Sequence, residues 1–167
     1  MSITETTNNL TETLQPAGTL RMYLETLSYR TRERLELINI TGDVNQAIRK
    51  QGLQAGFVLI QSLHTTSAIF VNEVQQALLN DIKAFLEKCV GRFDYWQHND
   101  PRLSDCDRKN ADAHLRATLL GHTLSVPVRA GEMALGVWQS VILAELDGPR
   151  DRDVHVQMLG FAAECAV

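Results

Sequence analysis

One long amphipathic helix between two strand-rich halves is the feature that most constrains this fold. From Val74 to Val90, apolar residues recur at helical spacing and keep one face, while charged and amide residues keep the other. The chain from Leu20, the β-branched segment 56–71 and the last third instead show the alternating or continuous apolar pattern of strands. Because helices and strands do not alternate regularly, we predict an α+β fold.

Two short helices complete the predicted fold. Residues 41–48 form one, capped near Thr41 or Asp43 and stopped by Gly52, and residues 111–120 form the other, capped by Asn110 or Asp107 and ended by Gly121. Residues 91–110 are polar, irregular and longer than most loops, which is typical of functional or flexible loops. One long helix covers a single face of a sheet. We therefore expect strand-rich mixed or antiparallel sheets, with the remaining face packed against a second sheet or another subunit.

The first residues differ from the rest in being rich in Thr, Asn and Glu. We predict a mobile extension over residues 1–18, with docking on a neighbouring subunit as the alternative, followed by a single domain over 19–167. The first ten residues lack the basic and apolar regions of a signal peptide, and no apolar run approaches the length of a membrane helix. Three cysteines without a CxxC pair are typical of a reducing compartment. These features predict a cytoplasmic protein.

The charge balance argues against a polyanionic partner. The formal net charge is -4 at pH 7, which gives no electrostatic reason for general affinity towards nucleic acid or an anionic membrane. We accordingly expect no nucleic-acid and no membrane partner.

Three histidines are the strongest candidates for chemistry. His64, His98 and His114 each sit beside small or amide-bearing polar residues, although no HExxH spacing is present. Three imidazoles from separate elements, with one position left open, are the ligand set of a catalytic zinc site. The spacing alone leaves two possibilities open, a shared metal site or three unrelated polar histidines.

The other reactive side chains form no convincing catalytic motif. There is no nucleophile elbow, P-loop or dinucleotide fingerprint. Thr66 shares a strand face with His64, because side chains two residues apart point the same way. Glu73 and Glu145 are the best carboxylate candidates, and Glu145 points either into a site or into water at the end of its strand.

Six motifs that occur in order over about residues 20–160 resemble those of the YjbQ-like family, named secondary thiamine-phosphate synthases. They are His64-Thr65-Thr66-Ser67-Ala68, Asn72-Glu73, Tyr95-x-x-His98, Ala113-His114-Leu115-Arg116-Ala117-Thr118, Gly136-Val137-Trp138-Gln139 and Glu145-Leu146-Asp147-Gly148-Pro149-Arg150. The resemblance implies a homotrimer with a pocket where the family's histidines gather, in several members around a metal. It thus makes His64, His98 and His114 metal ligands, with zinc the expected ion.

The same resemblance implies a reaction. A thiamine-phosphate synthase-like transferase joins a phosphorylated hydroxyethylthiazole to an aminopyrimidine pyrophosphate and releases pyrophosphate, and Mg²⁺ or an arginine stabilises the departing charge. The alternative is a non-catalytic, metal-dependent binding protein for a small phosphorylated ligand. The expected catalytic residues are His64, His114, Arg116 and Glu73, and the expected substrate-binding residues are Asn72, Trp138, Gln139 and Thr66.

The chain also departs from the family pattern. Val137 replaces the usual threonine, Arg116 stands where lysine is frequent, and the segment after Glu73 lacks the Asn-x-Asp-Pro continuation. These departures bear on the substrate more than on the fold.

Overall fold

The computed structural model describes residues 18–162, and within them the predicted α+β fold is confirmed. The elements in chain order are β1 Thr19–Arg30, β2 Glu36–Asn39, α1 Thr41–Lys50, β3 Leu53–Ser62, β4 Ser67–Asn72, α2 Gln76–Cys89, α3 Ala111–Leu120, β5 Thr123–Arg129, β6 Glu132–Met133, β7 Ser140–Glu145 and β8 Asp151–Ala162. Apart from Gly18, the predicted N-terminal extension lies outside the described residues, as does Cys165. The proposed domain boundaries therefore stay predictions.

The strands form two antiparallel sheets. The large sheet has the order β1-β8-β3-β5-β6 and the small sheet the order β2-β7-β4. In the small sheet, Ser67 lies opposite Glu145 and Asn72 lies opposite Ser140. This register fixes which site residues are neighbours, because each end of β4 meets one end of β7.

The elements stack in three layers around two cores. The first core lies between the large sheet, one face of the small sheet and α1; its members include Val44, Ile60, Ile69, Leu143 and Val156. The second core joins the other face of the small sheet to α2 and α3, through Ala68, Leu86, Ala113, Ala117 and Leu146. The small sheet is thus buried on both faces, which explains its nearly continuous apolar sequence.

The outer face of the large sheet carries an apolar patch that no element of residues 18–162 covers. Leu20, Met22, Leu24 and Phe57 are between 45% and 67% exposed. The strand registers bring half-buried residues of the same face beside them: Leu59, Leu159 and Phe161. Towards the other end of this face the side chains become polar. There His155 of β8 lies between Thr26 of β1 and Gln61 of β3. We call the apolar part the outer patch.

Two side chains lie where their sequence patterns alone would not place them. Cys89 continues the apolar stripe of α2 in the sequence but is exposed, because it is the last residue of the helix and lies beyond the second core. Arg34 belongs to an arginine alternation that suggests a solvated edge, but β1 ends at Arg30 and the Arg34 guanidinium turns inward onto two carboxylates. None of the helices in residues 18–162 has the length and hydrophobicity needed to cross a membrane.

Candidate functional site

A buried ionic network lies where β7 ends. The Asp147 carboxylate is fully buried and accepts hydrogen bonds from Asn110 at 2.8 Å, Arg34 at 2.7 Å, Arg108 at 2.9 Å and Arg150 at 3.1 Å. Burial raises the pKa of Asp147, but the hydrogen bonds from Asn110 and Arg108 and the charges of Arg108 and Arg34 together outweigh it and hold the pKa below its ordinary value. Asp147 is therefore a fixed negative charge that organises the surrounding arginines.

A second buried pair lies two residues earlier in the chain, at Glu145. Both Glu145 oxygens accept hydrogen bonds from the Arg152 guanidinium, one of them at 2.6 Å, and both side chains are almost completely buried. Arg152 also donates to Thr66 Oγ1 at 3.0 Å, and Thr31 donates to Glu145 at 3.0 Å. Of the two orientations open for Glu145, the structure selects the buried one. Thr66 is likewise held inside this network.

Asp112 extends the network to helix α3. Its Oδ1 accepts a hydrogen bond from Arg34 at 3.0 Å, while its Oδ2 is buried without a hydrogen bond, 3.6 Å from Arg116. Arg116 is 2% exposed and donates to the Val90 carbonyl at 3.1 Å and to Glu87. These contacts make Arg116 a link between α3 and the end of α2.

The imidazoles of His98 and His114 meet above this network. Their ring centroids are 5.1 Å apart and the rings are nearly perpendicular, at 84°. His98 lies in the single 3-10 turn Gln97–Asn99 of the long loop, and His114 lies in the first turns of α3. They open into a cavity of about 450 Å³ that is walled by Trp96 and Leu115. The Trp96 indole is anchored by its N–H donating to the Gly91 carbonyl at 3.0 Å.

The environment favours the neutral form of His114. Burial lowers its pKa, and the nearby His98 lowers it further because two imidazolium charges would repel. Asp147 and Asp112 act in the opposite direction without reversing the shift. At neutral pH, His114 is therefore an unprotonated imidazole that can accept a proton.

His64 makes a different contact, with the backbone of β8. Its Nε2 accepts a hydrogen bond from the Asp153 N–H at 2.9 Å, at the polar end of the large sheet. Its pKa is also lowered, first by burial and then by the Arg152 guanidinium. The ionic network links His64 and His114 electrostatically. The charge of Arg150 lowers the pKa of His64, and Arg150 also donates a hydrogen bond to Asp147, whose charge acts on His114.

These residues do not fit the expected zinc site. Residues 18–162 contain no group of three or more His, Cys, Asp or Glu side chains arranged to hold a metal ion. Only His98 and His114 are paired, and the Nε2 lone pair of His64 already accepts the Asp153 N–H. The prediction of zinc binding is wrong.

The remaining predicted residues lie at the opposite end of the small sheet. Asn72 is the last residue of β4 and Glu73 follows it, and Trp138 and Gln139 precede β7 beside them. Asn72 accepts the Glu73 N–H at 2.8 Å, and Gln139 accepts the Gly136 N–H at 2.7 Å. Since β4 has five residue steps of about 3.3 Å, this group lies about 17 Å from Ser67 and the network. Within one copy the structure does not bring the two groups together.

The buried roles of Arg34 and Arg152 were missed from the sequence. Both appear there as ordinary charges. A signal was available in the acidic partners, because Glu145 and Asp147 flank Leu146 at the end of an apolar run that has to be buried. Carboxylates in such a place need cationic partners.

The fold and the motifs agree with known proteins. The sequence matches the family described as UPF0047 protein YjbQ-like over residues 25–161. The chain belongs to the YjbQ-like family. It is 43% identical to a UPF0047 protein of Methanothermobacter thermautotrophicus over 141 residues, which cover 84% of this chain and 94% of the relative. A UPF0047 protein of Bacillus subtilis, YugU, is 34% identical over 140 residues, 82% of this chain and 99% of the relative.

Solved structures of relatives share the fold. A protein of unknown function from Sulfolobus solfataricus P2 superposes with a TM-score of 0.78 at 37% identity, covering 85% of this chain and 99% of that one. A hypothetical protein from Aeropyrum pernix K1 gives a TM-score of 0.76 at 33% identity, covering 83% and 98%.

The relatives overturn the predicted function. They are UPF0047 proteins to which no activity is attached, and the Sulfolobus protein is described as having unknown function. The prediction of a thiamine-phosphate synthase-like transferase is therefore wrong, and the alternative of a metal-dependent binding protein for a phosphorylated ligand has no support either. The Mg²⁺ expected with the pyrophosphate substrate stays a prediction that no observation tests.

Proposed function

We propose that the protein binds a small organic molecule in the cleft at His98 and His114 and transfers a proton to or from it. The observation that carries this proposal is the imidazole pair, with ring centroids 5.1 Å apart, at the mouth of a cavity of about 450 Å³. A cavity of that size falls within the range of small-molecule sites. Paired titratable groups in a cleft are the usual mark of acid–base chemistry.

The two rings have complementary roles in this proposal. His114, neutral because of burial and its neighbour, accepts the proton of the bound molecule. His98 is exposed at the mouth and exchanges protons with water or with the molecule. Trp96 and Leu115 form the apolar walls, which favour a planar or partly apolar molecule and shield the proton transfer from solvent.

The proposal is testable with 5-nitrobenzisoxazole. A general base removes the C3 proton of this planar probe while the ring N–O bond breaks, releasing a coloured cyanophenolate. We expect His114→Ala to lower the rate by about 10²-fold, the lower range for a positioned general base. The matched control is His155→Ala, since His155 lies on the large sheet and not in the cleft. Equal rates for both variants would contradict the proposal.

We also infer that copies of this chain cover one another's outer patch, in a homotrimer. Exposed apolar areas of this kind mark interaction surfaces, and the patch is built from ordered strands with no cover among residues 18–162. Light scattering should give a mass about three times 18.7 kDa. A particle of 18.7 kDa at micromolar concentration would contradict this.

The cytoplasm is the location we propose for this assembly. Cys89 and Cys106 are both free, and Cys89 is exposed. Exposed free thiols persist in a reducing compartment and are rare in secreted domains. Recovery of the protein with cytosolic markers after cell fractionation tests this location, and recovery from the periplasmic or culture fraction would contradict it.

A further inference from the structure

A groove follows the free edge of strand β1, away from the histidine cleft. β1 has twelve residues and pairs with β8 on one side, whereas its other edge pairs with no strand among residues 18–162. Helix α1 runs beside that edge. The groove between them has a volume of about 590 Å³; its walls are residues 25–29 of β1 and Asp43, Gln46, Ala47 and Lys50 of α1.

The lining shows how the groove is oriented. Successive strand residues point to opposite faces of a sheet, so a cavity that touches five in a row follows the strand edge and not one face. The lining residues of α1 recur at intervals of three and four, which places them on one face of the helix. The groove is therefore bounded by a strand edge and a helix face.

Two contacts across the groove fix its ends. Tyr29 donates its hydroxyl proton to Asp43 at 3.0 Å, and Lys50 donates to Glu25 at 3.0 Å. Helix and strand thus run antiparallel beside one another. From Glu25 to Tyr29 the strand rises about 13 Å, which is the length of about four residues of an added strand.

The groove has a preference for positive charge. Glu25 and Asp43 contribute two carboxylates against the one ammonium of Lys50, which is 64% exposed on its side chain. The second oxygen of Glu25, Oε2, is buried and accepts no hydrogen bond. An unsatisfied buried carboxylate oxygen leaves the negative charge of Glu25 incompletely compensated, so a cation brought beside this carboxylate is favoured.

We propose that this groove binds an extended segment of another protein by strand addition to β1, with a lysine or arginine of that segment pairing with the Glu25 carboxylate. Main-chain hydrogen bonds to the free edge give such complexes their affinity, and pockets for alternate side chains give their specificity. The chain's own first seventeen residues do not fit this description, because they carry Glu5 and Glu12 and no lysine or arginine. Another copy's extension is thus disfavoured by charge.

The test uses short fluorescent peptides as probes. The first is acetyl-Thr-Val-Lys-Val-Thr-amide, and the second replaces Lys by Glu. Two further versions of the Lys peptide carry N-methyl groups on alternate amides, one version for each of the two registers. By fluorescence anisotropy, we expect the Lys peptide to bind about tenfold or more tightly than the Glu peptide. One N-methyl register should abolish binding, because it removes the donors that face β1. Equal binding of all the peptides, or no binding up to millimolar concentration, would overturn the proposal.

Matched protein variants locate the contact. Glu25→Gln should weaken the Lys peptide about tenfold, and Lys50→Met should tighten it, because the competing ammonium is gone. Arg49→Ala is the control, since Arg49 is on the same helix but pairs with Glu132 outside the groove. Lys50→Met is expected to bind the Lys peptide more tightly, and a folding defect would not produce such a gain. The proposal therefore stays testable even if Glu25→Gln fails to fold. Unchanged peptide affinity in Lys50→Met would overturn the proposal. Dissociation of the oligomer by the peptide would also overturn it, because that result would mean that another copy of the chain fills the groove.

Discussion

Glu145 and Arg152 are two opposite charges almost fully removed from water, joined by two hydrogen bonds. Removing one partner of such a pair leaves the other buried and unpaired, which typically costs about 3–5 kcal/mol. We therefore expect Arg152→Met to lower the free energy of unfolding by about that amount, although the methionine fills most of the same volume. Urea denaturation followed by circular dichroism measures this.

An ion pair at the start of the same strand β8 provides the control. Arg30 and Asp151 are bonded at 2.9 Å, but their side chains are 77% and 69% exposed. Exposed pairs contribute about 0–1 kcal/mol, since water already solvates both charges. Arg30→Met should therefore change the unfolding free energy by less than about 1 kcal/mol, and similar losses in both variants would refute the burial argument.

The pH dependence of stability follows from His64 and His114. Burial lowers the pKa of both, aided by Arg152 at His64 and by His98 at His114. The unfolded chain therefore takes up these protons at a higher pH than the folded chain does, near the ordinary imidazole value of about 6.5. Stability should be full above that pH and fall as the pH drops below it, until the folded imidazoles also protonate.

A double variant isolates this contribution. We expect His64→Gln/His114→Gln to lose much of the difference between urea midpoints measured at pH 7.5 and pH 5.5. Protonation of His64 also opposes the hydrogen bond from Asp153, because its Nε2 must remain an acceptor. A wild-type midpoint that rises towards pH 5.5 would contradict the sign of this prediction.

At the scale of elements, the close pairing of β3 with β8 depends on two facing glycines. Gly56 lies opposite Gly160 in the strand register, and a Cβ on either residue would overlap a carbonyl group of the facing strand. Gly56 also has a φ of +151°, which side chains rarely adopt, whereas Gly160 has no such restriction. Gly160→Ala therefore tests the close approach alone, and we expect it to lower the thermal midpoint by several degrees, about 1–3 kcal/mol.

Gly42 gives the opposite expectation for the same substitution. It lies in the first turn of α1, and nothing is within 4 Å of an added Cβ. Alanine is favoured over glycine in helices by up to about 1 kcal/mol. Gly42→Ala should therefore leave the thermal midpoint unchanged or raise it, and a loss equal to that of Gly160→Ala would rule out strand crowding as the cause.

The elements were predictable where the signal is local. Helix α3 occupies residues 111–120 as predicted, because Asn110 and Gly121 end the helical pattern on both sides. The inward turn of Arg34 was not predictable, because its partners Asp112 and Asp147 come from distant parts of the chain. Sequence spacing likewise identified His98 and His114 without showing that only these two of the three histidines pair.

At the scale of the whole molecule, the sequence motifs divide between two ends of the small sheet. The ionic network and His98–His114 lie beyond the Glu145 end, while Asn72, Glu73 and the exposed Trp138 lie at the other. A resemblance in sequence gives the order of motifs but not their distances, which depend on how β4 crosses the core. The expectation that the sheet face left free by the long helix packs against a second sheet is met inside the molecule, because the small sheet lies between α2 and the large sheet.

Charge placed in the outer patch should separate the copies of the proposed homotrimer. Met22 is 67% exposed in the single chain, so Met22→Glu costs little in folding but would bury an unpaired carboxylate between subunits. We expect light scattering to shift towards 18.7 kDa at micromolar concentration, with circular dichroism unchanged. Gln61→Glu adds the same charge at the polar end of the same face and should leave the assembly intact. An unchanged mass for Met22→Glu would exclude the outer patch from the interface, and dissociation by both variants would show that net charge and not the patch controls assembly.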